Sequence, residues 1–360
     1  MFGERLRLAR KKAGLSLRDL SARLEGANRV SAQALGKYER GEMMPSSSVL
    51  LALMKALGEP LRFFMSPMGT ALVDVDFRKK AGTSVRDRAR ITAAVLDHVE
   101  RYLVVEEILG LESANWDVPF EPVNLSSVDE GEGLVDRVRK SWMLGGDPIP
   151  DMTELLEKNG VKVFAIDLPG SVSGLTCLVE RSLNRPPVPV IVVNATHNIE
   201  RRRMTLAHEL AHRLIDPESP ADEEKAAMRF AGAFLMPAAH LEGEVGRRRC
   251  SLGYLELMEL KHIYRVGAAA ALVRFEQIGI INHSTMVRIF QTIGSGWRKN
   301  EPLPIEDATA ERASRFGRLC FRALSERLIS PAKAIDLLGV TADEIQQELK
   351  GPKSGANHRQ

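Results

Sequence analysis

Cysteine is scarce: Cys177, Cys250 and Cys320 are the only three in 360 residues. They are odd in number and far apart, so the chain carries no disulfide framework and no CxxC pair, and a reducing compartment fits. Long apolar runs are missing too. No uncharged stretch approaches the ~18 residues that a bilayer requires, which excludes a membrane-spanning function. The first residues carry Arg and Lys throughout and lack the apolar core of a secretion signal, so a cytoplasmic chain with no membrane partner is expected. Internal repeats and low-complexity tracts are absent as well. Net charge is nearly absent, at +3.

That balance hides an asymmetry. Residues 1–65 hold twelve bases against six acids, a balance of +6 that leaves −3 for the remainder. A basic end on a mildly acidic body suggests a polyanion-binding module joined to something else, or simply a solvated charged face. The hydrophobic fraction of 44% suffices for ordinary cores, and the length suggests two or three domains.

The basic end reads as five short helices. Leu6, Ala9 and Ala13 form an apolar stripe over Arg5 to Ala13, which Gly14 ends. Ser16 with Asp19 three residues on forms a capping box for a second helix running to about Leu24. Glu25 to Asn28 is turn chemistry. Ser31 caps a third helix that carries Ala34, Leu35 and Tyr38 inward and closes at Gly41. A fourth starts at Pro45 to Ser48 and stops at Gly58, and Leu61 to Met65 makes a last turn. A tight turn between the second and third helices is the helix-turn-helix plan, in which the third helix enters the major groove. The run Arg5-Leu6-Arg7, Gly14-Leu15-Ser16, Asp19-Leu20, Val30-Ser31, Tyr38-Glu39-Arg40-Gly41, Pro45 and Ala56-Leu57-Gly58 resembles the phage-repressor-like (Xre/Cro) domain. The resemblance implies a double-stranded DNA operator as partner, with Ser31, Ala32, Gln33 and Lys37 at the reading end of the third helix. Gln33 suits adenine, Lys37 suits guanine or phosphate, and Arg29 and Arg40 suit phosphate. Leu17 stands where the family usually has Gln, and the turn before the third helix is a few residues longer.

Beyond it, Pro67, Gly69, Gly82 and Thr83 break the pattern, and Asp76-Phe77-Arg78-Lys79-Lys80 makes a short charged joint. Val85 to about Leu111 reads as a long amphipathic helix with Ile91, Val95, Val99, Leu103 and Ile108 apolar. It suits either a homodimer surface or packing onto a second domain. Val135 to Trp142 and Met152 to Asn159 read as helices. Val161 to Ile166 alternates as a strand, and Val188 to Val193 reads as a buried strand whose start Pro189 restricts.

Residues 203–216 hold His208-Glu209-Leu210-Ala211-His212 in a helix-forming context. Histidines at i and i+4 are separated by ~40° of rotation and ~6 Å of rise, so both imidazoles face one side and can share a metal. Zn2+ suits neutral nitrogen ligands. Glu209 then reaches metal-bound water as the catalytic base, the HExxH arrangement of metallopeptidases. A third ligand is needed, and no His follows at the extended spacing. A carboxylate from Asp222-Glu223-Glu224, at the start of another helical run, is the alternative. The run Arg202 to His212, followed by Glu224, Ala227, Phe230-Ala231 and Leu235-Met236-Pro237, resembles the ImmA/IrrE metallopeptidase family. Leu144-Gly145, Pro148-Ile149, Gly160-Val161 and Ile191 to Asn194 fit it too, and Trp297-Arg298, Glu301-Pro302, Ile329-Ser330 and Ala334 look like the tail of repressor-fused members. The resemblance implies Glu224 as third ligand, with Glu223 as fallback, and Met228 stands where the family usually has Asn. The sequence names no oxyanion-stabilising residue: His240, Tyr254, Tyr264 and His283 are candidates, each of a kind that more often serves structure.

The expected fold is α+β, mostly α: a five-helix helix-turn-helix domain, then a zincin-like metallopeptidase domain with a small sheet, then a helical C-terminal region. The expected boundaries are 1–66, a linker with the long helix at 67–130, the peptidase-like domain at 131–302, and a helical segment with a flexible tail at 303–360. Such a chain reads as a transcriptional regulator whose second domain cleaves a repressor or partner protein in a toxin-antitoxin or stress response. Its rivals are a non-catalytic repressor or antitoxin-like protein with a sensing or degenerate domain, and an active protease tethered by its first domain.

Overall fold

A computed structural model describes residues 2–66, 70–73, 84–111, 116, 119–170, 172–181, 185–307 and 310–350. Pro67, Gly69, the joint at 76–80, Gly82, Thr83 and the tail at 351–360 lie outside the described residues. The chain divides into two compact units: one holds 1–114, 178–187 and 315–360, the other 115–177 and 188–314.

The first unit begins with α1 (Phe2–Lys12), α2 (Leu17–Arg23), α3 (Ala32–Glu39), α4 (Ser47–Leu57) and α5 (Leu61–Met65). Serines start three of them: Ser16, Ser31 and Ser46 each accept a backbone N–H of the first turn, and Ser16 with Asp19 completes the capping box. Leu6, Leu20, Leu35, Leu53 and Phe64 are fully buried and close one core. α1 starts earlier than its apolar stripe suggests, and Gly3 in its first turn passes so close to α3 that a Cβ there would meet the Glu39 carbonyl oxygen at 2.4 Å. After β1 (Thr70–Val73) comes α6 (Val85–Ile108), capped by Ser84. Its Ala93 and Leu96 pack with Leu8 of α1. Lys12 of α1 reaches Asp97 at 2.6 Å and Glu59 at 2.8 Å, and Arg5 reaches Glu100 at 2.6 Å. Of the expected stripe, Ile91, Val95, Val99 and Leu103 are buried, whereas Ile108 is exposed where the helix ends.

The second unit holds α7 (Glu130–Ser141), α8 (Met152–Lys158), β2 (Lys162–Ile166), the first half of β3 (Gly174–Arg181), β4 (Val188–Asn194), α9 (Ile199–Ala211), α10 (Glu223–Leu235), α11 (Ala238–Val245), α12 (Tyr254–Tyr264), α13 (Ala268–Gln277) and α14 (His283–Gln291). β4 lies between β3 and β2 and runs parallel to β2, with Lys162 opposite Val190. That register begins one residue after Pro189, so the missing proline N–H costs the β2 ladder nothing. All seven residues of β4 are buried, which accounts for its unbroken apolar run.

α9 is pinned by two fully buried ion pairs. Glu200 meets Lys261 of α12 and accepts the Ile305 N–H at 2.9 Å. Arg203 meets Glu311, whose carboxylate also accepts the backbone N–H groups of Met152 and Thr153, at 2.9 and 2.8 Å, at the start of α8. Removing one partner of such a pair strands the other.

The chain ends in α15 (Arg315–Ser325), α16 (Pro331–Leu338) and α17 (Ala342–Lys350), back in the first unit. There Phe316 stacks on Tyr102 of α6 at 5.4 Å between ring centres, and Arg315 reaches the buried Glu106 at 2.7 Å. α6 is therefore covered by α1 and by α15 within its own unit. Within that unit β1 pairs antiparallel with the end of β3, Thr70 opposite Arg181 and Val73 opposite Leu178.

All three tryptophans, Trp116, Trp142 and Trp297, belong to the second unit. Glu311→Ala is expected to destabilise that unit by about 3–5 kcal/mol, read as an earlier urea midpoint in tryptophan fluorescence. An unchanged midpoint would show that Arg203 finds another partner.

Candidate metal centre and nucleic-acid interface

α9 and α10 pack together, and both carry fully buried alanines: Ala207 and Ala211 in α9, Ala226, Ala227 and Ala231 in α10. This brings the end of α9, where His212 is the C-cap, to the first turn of α10, where Asp222 is the N-cap and Glu223 and Glu224 follow. A helix N-terminus favours carboxylates, so the start of α10 suits Asp222, Glu223 and Glu224.

Three donors converge there. His208 Nε2 and His212 Nε2 lie 3.1 Å apart. Glu224 places one carboxylate oxygen 3.3 Å from His208 Nε2 and the other 3.6 Å from His212 Nε2. Zn–N and Zn–O bonds of about 2.0–2.2 Å in tetrahedral geometry require donor–donor separations of roughly 3.3–3.6 Å. The two Glu224–His distances fall in that range and the His208–His212 separation lies just below it, so the residues present fit a small divalent ion. Among the described residues this is the only such group of three or more His, Cys, Asp or Glu side chains. His208 and His212 are mostly buried, whereas the Glu224 side chain is half exposed.

Glu223 is not part of the group. Its carboxylate accepts the His212 Nδ1–H at 2.6 Å, which fixes the tautomer and leaves the Nε2 lone pair facing the other donors. The sequence offered Glu223 only as a substitute ligand; adjacency to Glu224 at a helix start was the available signal, and the direction of each carboxylate was not. His208 differs: its buried Nδ1 has no hydrogen-bond partner among the described residues. Met228 is half exposed.

Glu209 is 4% exposed on the same helix. The start of β3 lies against it: a Cβ at Gly174 would meet Thr205 Cγ2 at 2.5 Å and come within 3.7 Å of Glu209 Cγ. Only glycine fits between that strand and α9. β3 escaped the sequence reading because Gly174, Thr176 and Cys177 dilute its apolar alternation. Asn194 at the end of β4 ties together the segments before β3 and after β4, accepting from Thr196 N at 3.1 Å and donating to Val172 O at 3.0 Å. Of the oxyanion candidates, Tyr264 is buried and shares a 2.7 Å hydrogen bond with His240, burial pushing its hydroxyl pKa upward. Tyr254 lies beside Trp297 and His283 beside Glu276.

In the first unit, a 3-10 turn over Gly26–Asn28 separates α2 from α3, and Ser21 Oγ ties α2 to it by donating to Val30 O at 2.6 Å. α3 buries Leu35 and Tyr38 and exposes Gln33 and Lys37, with Ala32 half-buried. Ser31 Oγ is engaged as the N-cap, accepting from Ala34 N at 3.1 Å. Arg29 is exposed just before the helix. Arg40 is exposed but paired with Glu42 at 2.5 and 3.1 Å, which raises the arginine pKa and lowers that of the carboxyl. Leu17, in the family's usual Gln position, packs partly into the core.

Among the described residues no helix is long and apolar enough to cross a membrane. No curated protein matches the chain. Residues 6–64 match the family described as helix-turn-helix, and residues 156–276 match the family described as IrrE N-terminal-like domain. The chain is therefore a fusion of an Xre-like helix-turn-helix DNA-binding domain with an IrrE N-terminal-like, metallopeptidase-type domain.

Proposed function

We propose that this chain is a cytoplasmic DNA-binding regulator whose second domain is a zinc-dependent peptidase acting on a repressor or partner protein. The observation that carries the reading is the convergence at metal-sized separations of His208 and His212, from the helix that also carries Glu209, with Glu224 of α10. His208 Nε2, His212 Nε2 and a Glu224 oxygen would hold Zn2+. Bound Zn2+ supplies a Lewis acid that polarises a peptide carbonyl and acidifies water.

The chain's own residues handle the protons. Glu209 takes one from the attacking water as the C–O bond forms, then returns it to the amine as the C–N bond breaks. Its burial between α9 and β3 restricts its rotamers and keeps the carboxylate in place. Glu223 keeps His212 turned toward the ion. On the DNA side, Gln33 and Lys37 read base edges, Arg29 contacts phosphate, and Arg40 does so once Glu42 yields. Ser31 serves by capping the reading helix.

A second reading, a metal-sensing or degenerate domain without turnover, is favoured by one observation: His208 lacks the orienting partner that His212 has.

Purified wild type is expected to hold about one zinc per chain by elemental analysis, and His208→Ala/His212→Ala none. A folded wild type that stays metal-free in excess zinc overturns the enzyme reading. Glu223→Ala is expected to weaken zinc binding about 10–100-fold in a chelator competition; a change below twofold removes Glu223 from the site. Glu209→Gln should keep its zinc and lose about 10²–10⁴-fold in turnover. Turnover is followed through protein N-termini that arise in cells carrying wild type. The same N-termini at the same abundance in the variant would favour the second reading. Gln33→Ala should relax specificity at one base pair by about 1–3 kcal/mol, whereas Arg29→Ala should weaken all sequences alike. Selection from a random DNA pool separates the two, and identical selected sites for all three proteins would move the reading surface off α3.

A further inference from the structure

A cavity of about 630 Å3 lies within the second unit, walled by α7, the loop after it, the end of α10, the start of α11 and α13. Its volume falls in the ~300–1,000 Å3 range of small-molecule sites. It is set apart from the zinc ligands: Glu224 stands in the first turn of α10 and the lining residue Ala233 in the last, about 14 Å of helix away.

Two buried guanidiniums set its chemistry. Arg139 of α7 and Arg274 of α13 both line the cavity, and they are 6% and 1% exposed. Backbone carbonyls hold them in place. Arg139 donates to Gly145 O at 2.7 Å and to Asp147 O and Phe234 O at 3.0 Å each, and Arg274 donates to Met236 O at 3.0 Å. Each still has one buried N–H without a partner among the described residues, Nε of Arg139 and Nη1 of Arg274. Carboxylates do not balance them. Glu132 is shared between Arg274 at 2.6 Å and Arg229 at 3.0 Å. No carboxylate forms an ion pair with Arg139 among the described residues; burial lowers its pKa, and the exposed Asp147 and Asp136 only partly offset that.

A third contribution is independent of the arginines. α11 starts at Ala238 with no side-chain cap. The N–H groups of a first turn have no partner inside the helix, and with the helix dipole they favour an anion. Ala238 and Ala239 of that turn line the cavity. Arg274 reaches the carbonyl of Met236, two residues earlier, so the guanidinium and the helix start lie side by side.

We propose that this cavity binds a phosphate-type oxyanion, free or as the end group of a small organic ester, with its oxygens among the first-turn N–H groups of α11, Arg139 and Arg274. Two buried cations and one shared carboxylate leave positive charge uncompensated, and a bound oxyanion supplies the missing partner through charge-assisted hydrogen bonds. Val135, Met143 and Ala233 offer the body of an ester an apolar wall. The proposal stands whether or not the second domain is a peptidase.

The test is calorimetric titration of the full chain with phenyl phosphate, inorganic phosphate and phenol. Phenyl phosphate is expected to bind saturably, and phenol, which lacks the charge, about tenfold or more weakly. Tighter binding of phenyl phosphate than of inorganic phosphate marks an ester as the occupant; equal or weaker binding marks the free ion. Ala239→Asp sets a carboxylate at an exposed first-turn position where helices favour one. Ala238→Pro removes one N–H at the position where helices accept proline. Each is expected to weaken phenyl phosphate about tenfold or more with an unchanged circular dichroism spectrum. No saturable binding, or phenol bound as tightly as phenyl phosphate, overturns the proposal. So does unchanged affinity in both variants, which would move the binding to another basic surface.

Discussion

Close packing of α9 on α10 is the constraint on which the second unit depends. The packing sets the end of one helix against the start of the next, with the alanines of both helices fully buried. His208 and His212 come from one helix and Glu224 from the other, so a bulkier contact would spread the three donors beyond the reach of a single ion. The neighbouring strand is held to the same tolerance: Gly174 leaves no room for a methyl group beside Thr205 and Glu209. Interiors packed this densely transmit a shift of one element directly to its neighbours.

Electrostatics fixes the register of that helix. Glu200 and Arg203 lie within its first two turns, both buried, and each is met by a residue far along the chain, Lys261 and Glu311. Desolvating two such pairs is costly, and apolar residues of similar volume often give equal or greater stability. The return is orientation: Glu311 fastens Arg203 of α9 and the start of α8 with one carboxylate, so the segment after α14 holds the motif helix in place.

In the first unit the organising element is α6. One face closes on α1 of the helix-turn-helix and the other on Phe316 of α15, so residues from both ends of the chain share one scaffold. Ion pairs follow the same route, from Lys12 through Asp97 to Arg101, which donates to Leu337 O at 3.1 Å. A helix that suits, in sequence, either a dimer face or packing onto a second domain is, in the fold, a core helix of its own unit. Amphipathicity tells which face is buried and not what buries it.

What the sequence determined by itself is local or periodic. Serine caps, the 3.6-residue stripes of α1 to α6, the apolar run of β4 and the HExxH spacing depend on neighbours within a turn or two, and a pattern of residue types suffices to read them. The two matched domains follow from those patterns. The family resemblance favoured Glu224 over Glu223, but spacing and periodicity did not separate them, because the two differ by only ~100° around one helix; tertiary structure shows which carboxylate turns toward the histidine pair and which toward the back of His212. It also decided that Arg40 is engaged with Glu42, that β3 exists, and that Glu311 meets Arg203 across 108 residues. Those outcomes rest on directions and distances between segments far apart in the chain, and no local pattern encodes them.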